Sequence, residues 1–124
     1  MAKILVVDDE SSIRLLYAQE LAEEGHEVTT AAAAVEAVEK LEQGDFDLVV
    51  LDIKLKNESG LDLLQKIVKE RHEMPVILCT AFSFYKDDFS AWLADGYVVK
   101  SSDLTELKEE IQRVLAKKSQ RQNQ

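Results

Sequence analysis

The sequence predicts an α/β domain in which a five-stranded parallel sheet is covered by helices on both faces. Two observations carry this. Short apolar runs without a polar break, at residues 4–7, 48–51 and 76–79, have the composition of strands buried on both faces, as the strands of parallel sheets are. Between such runs, apolar residues recur at helical spacing, so strand and helix alternate and right-handed crossovers follow. In a sheet of this kind every strand-to-helix loop emerges at the carboxyl edge, and ligands bind there, where the strand order reverses.

In chain order, the first strand, residues 4–7, ends at Asp8-Asp9-Glu10, and Ser11 or Ser12 offers an N-cap for a helix running to about Glu24, closed by Gly25. A weaker strand spans 27–31. The alanine-rich stretch that follows places Val35, Val38 and Leu41 on one helical face before Gly44. The third strand, 46–52, delivers Asp52. Residues 53–59 show no periodicity, and Gly60 precedes a helix carrying Leu61, Leu64, Ile67 and Val68 that ends near His72. Pro75 opens the fourth strand, 76–80, where a proline is tolerated at the first position. Residues 81–92 suit only a short or irregular fourth helix, and a last strand falls at about 97–99. Leu104, Leu107, Ile111, Val114 and Leu115 then form the clearest amphipathic stripe. The domain spans 1–118, and 119–124 reads as a polar tail.

A length of 124 residues holds one domain, so the fold must contain the function. Lys plus Arg number 15 against 24 Asp plus Glu, and no basic run is interleaved with aromatics, which argues against direct nucleic-acid binding. The apolar runs are too short to span a membrane and no signal-peptide core leads the chain, so the expectation is a cytoplasmic protein without a membrane partner. The single Cys79 reads as a small buried hydrophobe.

The topology places Asp8, Asp9, Asp52, Thr80 and Lys100, each at a strand's carboxyl end, around one crevice. His26 and His72 fall at the opposite edge, which excludes a triad of serine, histidine and Asp52. Carboxylates about 5 Å apart at an effective dielectric near 20 repel by roughly 3 kcal/mol per pair. A hard divalent cation, Mg²⁺ or Mn²⁺, offsets that and keeps positions for water and phosphate oxygens. Lys100 and the Thr80 hydroxyl suit the other oxygens of a phosphoryl group, with Asp52 as the in-line nucleophile that becomes an aspartyl phosphate.

At Val7-Asp8-Asp9-Glu10, Leu51-Asp52, Thr80-Ala81 and Gly96-Tyr97-Val98-Val99-Lys100 the chain resembles the receiver domain of bacterial two-component response regulators, of the stand-alone chemotaxis type. The resemblance covers about residues 3–118 and implies a flavodoxin-like, doubly wound sheet of order 2-1-3-4-5 with five helices. It implies that Asp52 takes phosphate from a histidine kinase or histidine phosphotransferase and signals through a downstream protein target. Asp8, Asp9, Asp52 and the backbone carbonyl of Lys54 would hold the metal, Lys100 and Thr80 would contact the phosphoryl group, and Tyr97 would turn inward on activation, after Thr80. Such a chain catalyses its own phosphorylation and slow dephosphorylation and is otherwise no enzyme.

Ser101 follows Lys100 where the family has proline, so the Lys100–Ser101 peptide is expected to be trans. The interval from Thr80 to Tyr97 is about two residues shorter than the family's, which shortens the fourth helix. Phe82, Phe84, Tyr85, Phe89 and Trp92 crowd that interval, and some should form a partner-binding patch. Lys54 and Phe82 stand two places beyond Asp52 and Thr80, positions that by the resemblance flank the path of attacking water, so a long cation and an aromatic there would shield the phosphate. The first helix has two apolar arcs, one of Ile13, Leu16 and Tyr17, the other of Leu15, Ala18, Leu21 and Ala22; one should stay exposed, and the resemblance assigns Ile13 and Leu16 to kinase docking. Two other functions compete. One is a Mg²⁺-dependent phosphatase using an aspartyl phosphate, which lacks its second acid because Lys54 stands there. The other is a degenerate receiver acting by constitutive protein binding, against which the intact Asp8, Asp9, Asp52, Thr80 and Lys100 argue.

Overall fold

The apolar run that ends at Leu51 becomes the middle of the sheet. The computed structural model describes residues 2–81 and 89–122, with backbone alone at 89–90 and 121–122. Strands β1 (Lys3–Val7), β2 (Glu27–Ala31), β3 (Leu48–Leu51), β6 (Val76–Thr80) and β7 (Gly96–Val99) pair in parallel in the order β2-β1-β3-β6-β7. That is the expected order 2-1-3-4-5 once a small antiparallel hairpin, β4 (Lys54–Leu55) with β5 (Glu58–Ser59), is set aside. The helices among the described residues are α1 (Ser11–Glu23), α2 (Ala34–Gln43), α3 (Gly60–Glu70) and α4 (Thr105–Gln122), with a 3-10 helix at Phe89–Leu93.

Alternation along the strands splits the core. Leu5, Val7, Val49, Leu51 and Leu78 face Leu41 of α2 and Leu61, Leu64 and Ile67 of α3. Ile4, Val6, Val50, Ile77 and Val98 face Tyr17 and Leu21 of α1 and Leu107, Ile111 and Val114 of α4. Every β3 residue is buried, because helices cover it on both sides. Among the described residues no helix is long and apolar enough to cross a membrane.

Several local expectations change. Strand β3 is Leu48–Leu51 rather than 46–52, so Asp52 is the first residue beyond the ladder. Helix α1 is N-capped by Glu10 without a side-chain cap bond, and Ser11 and Ser12 are its first helical residues. It ends as expected at Gly25, whose φ of 91° permits the terminal bonds Gly25 N–H to Ala22 O (3.0 Å) and His26 N–H to Leu21 O (3.2 Å). The aperiodic segment 53–59 is the β4-β5 hairpin, turned at Asn57 with φ 62°. Helix α3 ends at Glu70, before His72. The fourth helical position is irregular, as expected, its described part being the 3-10 helix. Helix α4 continues to Gln122, so most of the segment read as a polar tail extends that helix.

Gly60 ties the hairpin and α3 to the edge where Asp52 stands. Its N–H donates to Ile53 O at 2.6 Å, and a Cβ there would run into the carbonyl oxygen of Asp52. Ser59 caps α3, its hydroxyl accepting from Leu61 N at 3.2 Å. Helix propensity alone would make Gly60→Ala stabilising by about 1 kcal/mol. The clash with backbone predicts the opposite sign, a loss of about 2–3 kcal/mol in urea unfolding; a neutral or stabilising result would mean that α3 can shift away from Asp52 freely.

Candidate functional site

Register brings the functional side chains together. Val7 lies opposite both Ala31 and Leu51, so the chain steps off β1 and β3 side by side, at Asp8 and Asp52. Backbone bonds fix each one residue past its strand: Asp8 N–H donates to Ala31 O at 3.1 Å, and Asp52 N–H to Val7 O at 3.0 Å. On the next strand, β6, Thr80 lies opposite Val99 of β7, and the N–H of Lys100 donates to Thr80 O at 2.6 Å. The lysine is thus set by the ladder and not by the residue after it. No cis peptide occurs among the described residues, so Lys100–Ser101 is trans as expected.

The Lys100 ammonium bridges the two aspartates, 2.6 Å from Asp8 Oδ2 and 2.9 Å from Asp52 Oδ2. The three side chains are 13 %, 3 % and 7 % exposed, so this is a buried cluster and its charges are little screened. Burial pushes the Asp52 carboxyl above the usual carboxylate range, while the hydrogen bond and charge of Lys100 restrain the rise. Burial would lower the Lys100 pKa, but its hydrogen bonds to Asp8 and Asp52 outweigh this and raise it, so the ammonium stays charged.

Asp8, Asp9 and Glu10 each offer a carboxylate oxygen, all within 4.8 Å of one another, and their burial falls in that order from buried to exposed. An oxygen set of this kind, with one side open, suits a hard divalent cation. Asp52 stands across the lysine from this group, and its Oδ1 accepts weakly from Lys54 N–H at 3.3 Å. Thr80 is fully buried, and its hydroxyl has no hydrogen-bond partner among the described residues. An unsatisfied buried hydroxyl costs free energy, so a phosphoryl oxygen in the crevice would find a donor waiting there.

Of the other expected residues, Tyr97 is half-buried on β7, opposite Leu78. Lys54 is exposed on the hairpin. Phe82, Phe84 and Tyr85 lie outside the described residues, as does the Phe89 side chain; Trp92 is 62 % exposed. The arcs of α1 sort differently from the expectation: Tyr17 and Leu21 are buried and Ile13 packs partly against the same core, while Leu15 and Leu16 stay exposed. Cys79 is buried as expected and shares a hydrogen bond with the Tyr17 hydroxyl at 3.4 Å; burial pushes its thiol up to about 11. Glu10 and Arg14 were not singled out from sequence. Glu10 is the third consecutive acid of the motif, a visible signal, and its backbone N–H donates to Asp8 Oδ1 at 2.9 Å. Arg14 donates to the Asp8 carbonyl at 2.8 Å, one helical turn into α1, and nothing in the sequence marks that contact.

The chain matches the response regulator receiver domain family over residues 4–112. It belongs to that family. Among solved structures, the receiver is similar to the response regulator TrrA from Thermotoga maritima in complex with Mg²⁺-BeF, with 47% identity and a TM-score of 0.89 over 92% of this chain and 99% of that one. It is similar also to a chain in the complex of the histidine kinase ThkA with TrrA, with 48% identity and a TM-score of 0.87 over 93% of this chain and 99% of that one. Among curated proteins, the transcriptional regulatory protein TcrA of Mycobacterium tuberculosis is 37% identical over 107 residues, which are 85% of this chain and 42% of that protein. The chain spans about a quarter to about a half of the length of the curated relatives it matches.

Removing the lysine from this receiver leaves two buried carboxylates facing one another. Lys100→Met is therefore expected to lower unfolding stability by about 3 kcal/mol at neutral pH. The loss should shrink in acid, where protonated carboxyls no longer repel. A loss below about 1 kcal/mol, typical of an exposed pair, would show that the bridge is solvated.

Proposed function

We propose that this receiver accepts a phosphoryl group on Asp52 from a histidine kinase or histidine phosphotransferase and passes the signal on through protein contacts. The single observation that carries the reading is the Lys100 ammonium held between Asp8 and Asp52, with the Thr80 hydroxyl, unpartnered among the described residues, at the same sheet edge. An Asp52 carboxylate oxygen attacks phosphorus. The new P–O bond forms as the bond from phosphorus to the donor imidazole nitrogen breaks, and the leaving electron pair stays on that nitrogen. Asp52 needs its charged form for this, which Lys100 helps preserve against burial. Lys100 then pairs with a phosphoryl oxygen, and Thr80 donates to another.

Asp8, Asp9 and Glu10, with Asp52 and the Lys54 carbonyl, are the groups that would hold Mg²⁺ or Mn²⁺; the bound cation supplies charge neutralisation for the transferring group. The Mg²⁺-BeF complex of TrrA supports this assignment. Movement of the Thr80 hydroxyl toward the phosphoryl group would let half-buried Tyr97, on the neighbouring strand, repack inward and alter the downstream surface. The chain turns over no separate substrate, acts in the cytoplasm and does not itself touch nucleic acid; the net charge of −9 supports the last point.

Incubation with Mg²⁺ and acetyl phosphate should add one phosphate by intact mass, and Asp52→Asn should abolish it. Turnover of a phosphomonoester would instead favour the phosphatase. Lys54 and Phe82 are assigned to shielding the phosphate, so Lys54→Asn should shorten the phosphorylated lifetime, and an unchanged decay rate would remove that role.

The kinase surface is assigned to the exposed leucines of α1, which shifts the expected pair from Ile13 and Leu16 to Leu15 and Leu16. The complex of ThkA with TrrA supports a kinase partner. Leu16→Asp should block phosphotransfer from the kinase and leave uptake from acetyl phosphate intact. Equal loss with both donors would place the effect in the fold and not in docking.

A further inference from the structure

On the sheet face away from α1, a groove of about 390 Å³ runs between α2 and α3 and is lined mainly by apolar surface. Its origin is legible in the sequence: Ala34 is the first residue of α2, and its short side chain leaves space beside the hairpin unfilled. Leu63 forms a buried wall, Val38 is half-buried, and Val35 stands 69 % exposed at the mouth. The volume falls in the range of sites that take one or two bulky apolar groups. Around it stand Glu39, Glu58 and Asp62, with Lys66 the cation among the described lining residues. Past Val38 and Lys66 the seam continues between the helices, adding Glu42 and Glu70 against Arg71.

We propose that this groove docks a basic amphipathic helix of a partner protein, at a site separate from the phosphoacceptor crevice and from the α1 leucines. Two helices side by side with an apolar furrow between them accept apolar anchors spaced at i, i+3 and i+4. The excess of carboxylates on the rim calls for Lys or Arg flanking those anchors, and steers such a helix in. A second copy of this chain is a poor occupant, because a groove meeting its own twin would set these acids against each other. The groove also adjoins the hairpin that begins beside Asp52, through Glu58, whose carboxylate accepts from Ala34 N–H at 2.9 Å.

The test titrates the full ¹⁵N-labelled chain at about 0.15 M salt with a peptide of leucine and lysine at helical spacing, about 18 residues long. A leucine–glutamate counterpart serves as control. The expected result is that amide shifts centre on Val35, Val38 and Leu63, and that the acidic peptide does not bind. Val35→Gln, and separately Glu39→Gln with Asp62→Asn, should each weaken binding about tenfold. All these side chains are exposed, so both variants should unfold at the wild-type temperature and take up phosphate from acetyl phosphate as before. The proposal is overturned by shifts centred on Leu15 and Leu16 or on Trp92 and Leu93. It is equally overturned by equal binding of the acidic peptide, by variants that bind like wild type, by no binding at millimolar peptide, or by line broadening that shows the chain alone associating.

Discussion

The constraint on which this site depends is one ammonium shared by two buried carboxylates. Two strands that pair side by side are each followed by an aspartate, and the packing that buries those strands also takes the acids out of water. Without a cation between them, Asp8 and Asp52 would each carry a desolvation penalty and repel the other. Lys100 reaches both, at 2.6 and 2.9 Å, from the end of β7 at the sheet's edge. The attraction stabilises the edge, and it keeps Asp52 available as an anion in surroundings that favour its neutral form.

In the proposed reading, the same geometry is what would let the arrangement switch. The lysine's charge is committed to Asp8 and Asp52, whereas the buried Thr80 hydroxyl has no partner among the described residues. A phosphoryl group on Asp52 would bring oxygens to both. In the proposed reading, Asp8, Asp9 and Glu10 would hold a divalent cation that would add to the charge neutralisation Lys100 provides. Thr80 sits between the acceptor and β7, where Tyr97 is half-buried, so a change in the crevice has a short path to the surface.

Much of this was legible because parallel strands advertise themselves. Unbroken runs such as 48–51 gave the sheet, and the residues ending them gave Asp8, Asp52, Thr80 and Lys100. What sequence did not convey was orientation. Helix α1 is apolar on two arcs, and only packing decides that Tyr17 and Leu21 turn inward while Leu15 and Leu16 remain in solvent. Three consecutive acids mark a cluster, but not which of them faces the crevice; their graded burial decides that. The hairpin after Asp52 has strands of two residues, too short for any period to register. The missing proline after Lys100 proved no obstacle, since the lysine is held by its own ladder bond to Thr80.

The central claim is that Asp52, and no neighbouring acid, takes the phosphate. Its most direct test is to treat the chain with Mg²⁺ and acetyl phosphate, reduce it with borohydride, and sequence the peptides by mass spectrometry. An acyl phosphate is reduced to the alcohol, so the account predicts homoserine at position 52 alone. Homoserine at position 8 or 9, or none at any position despite added phosphate, would contradict it.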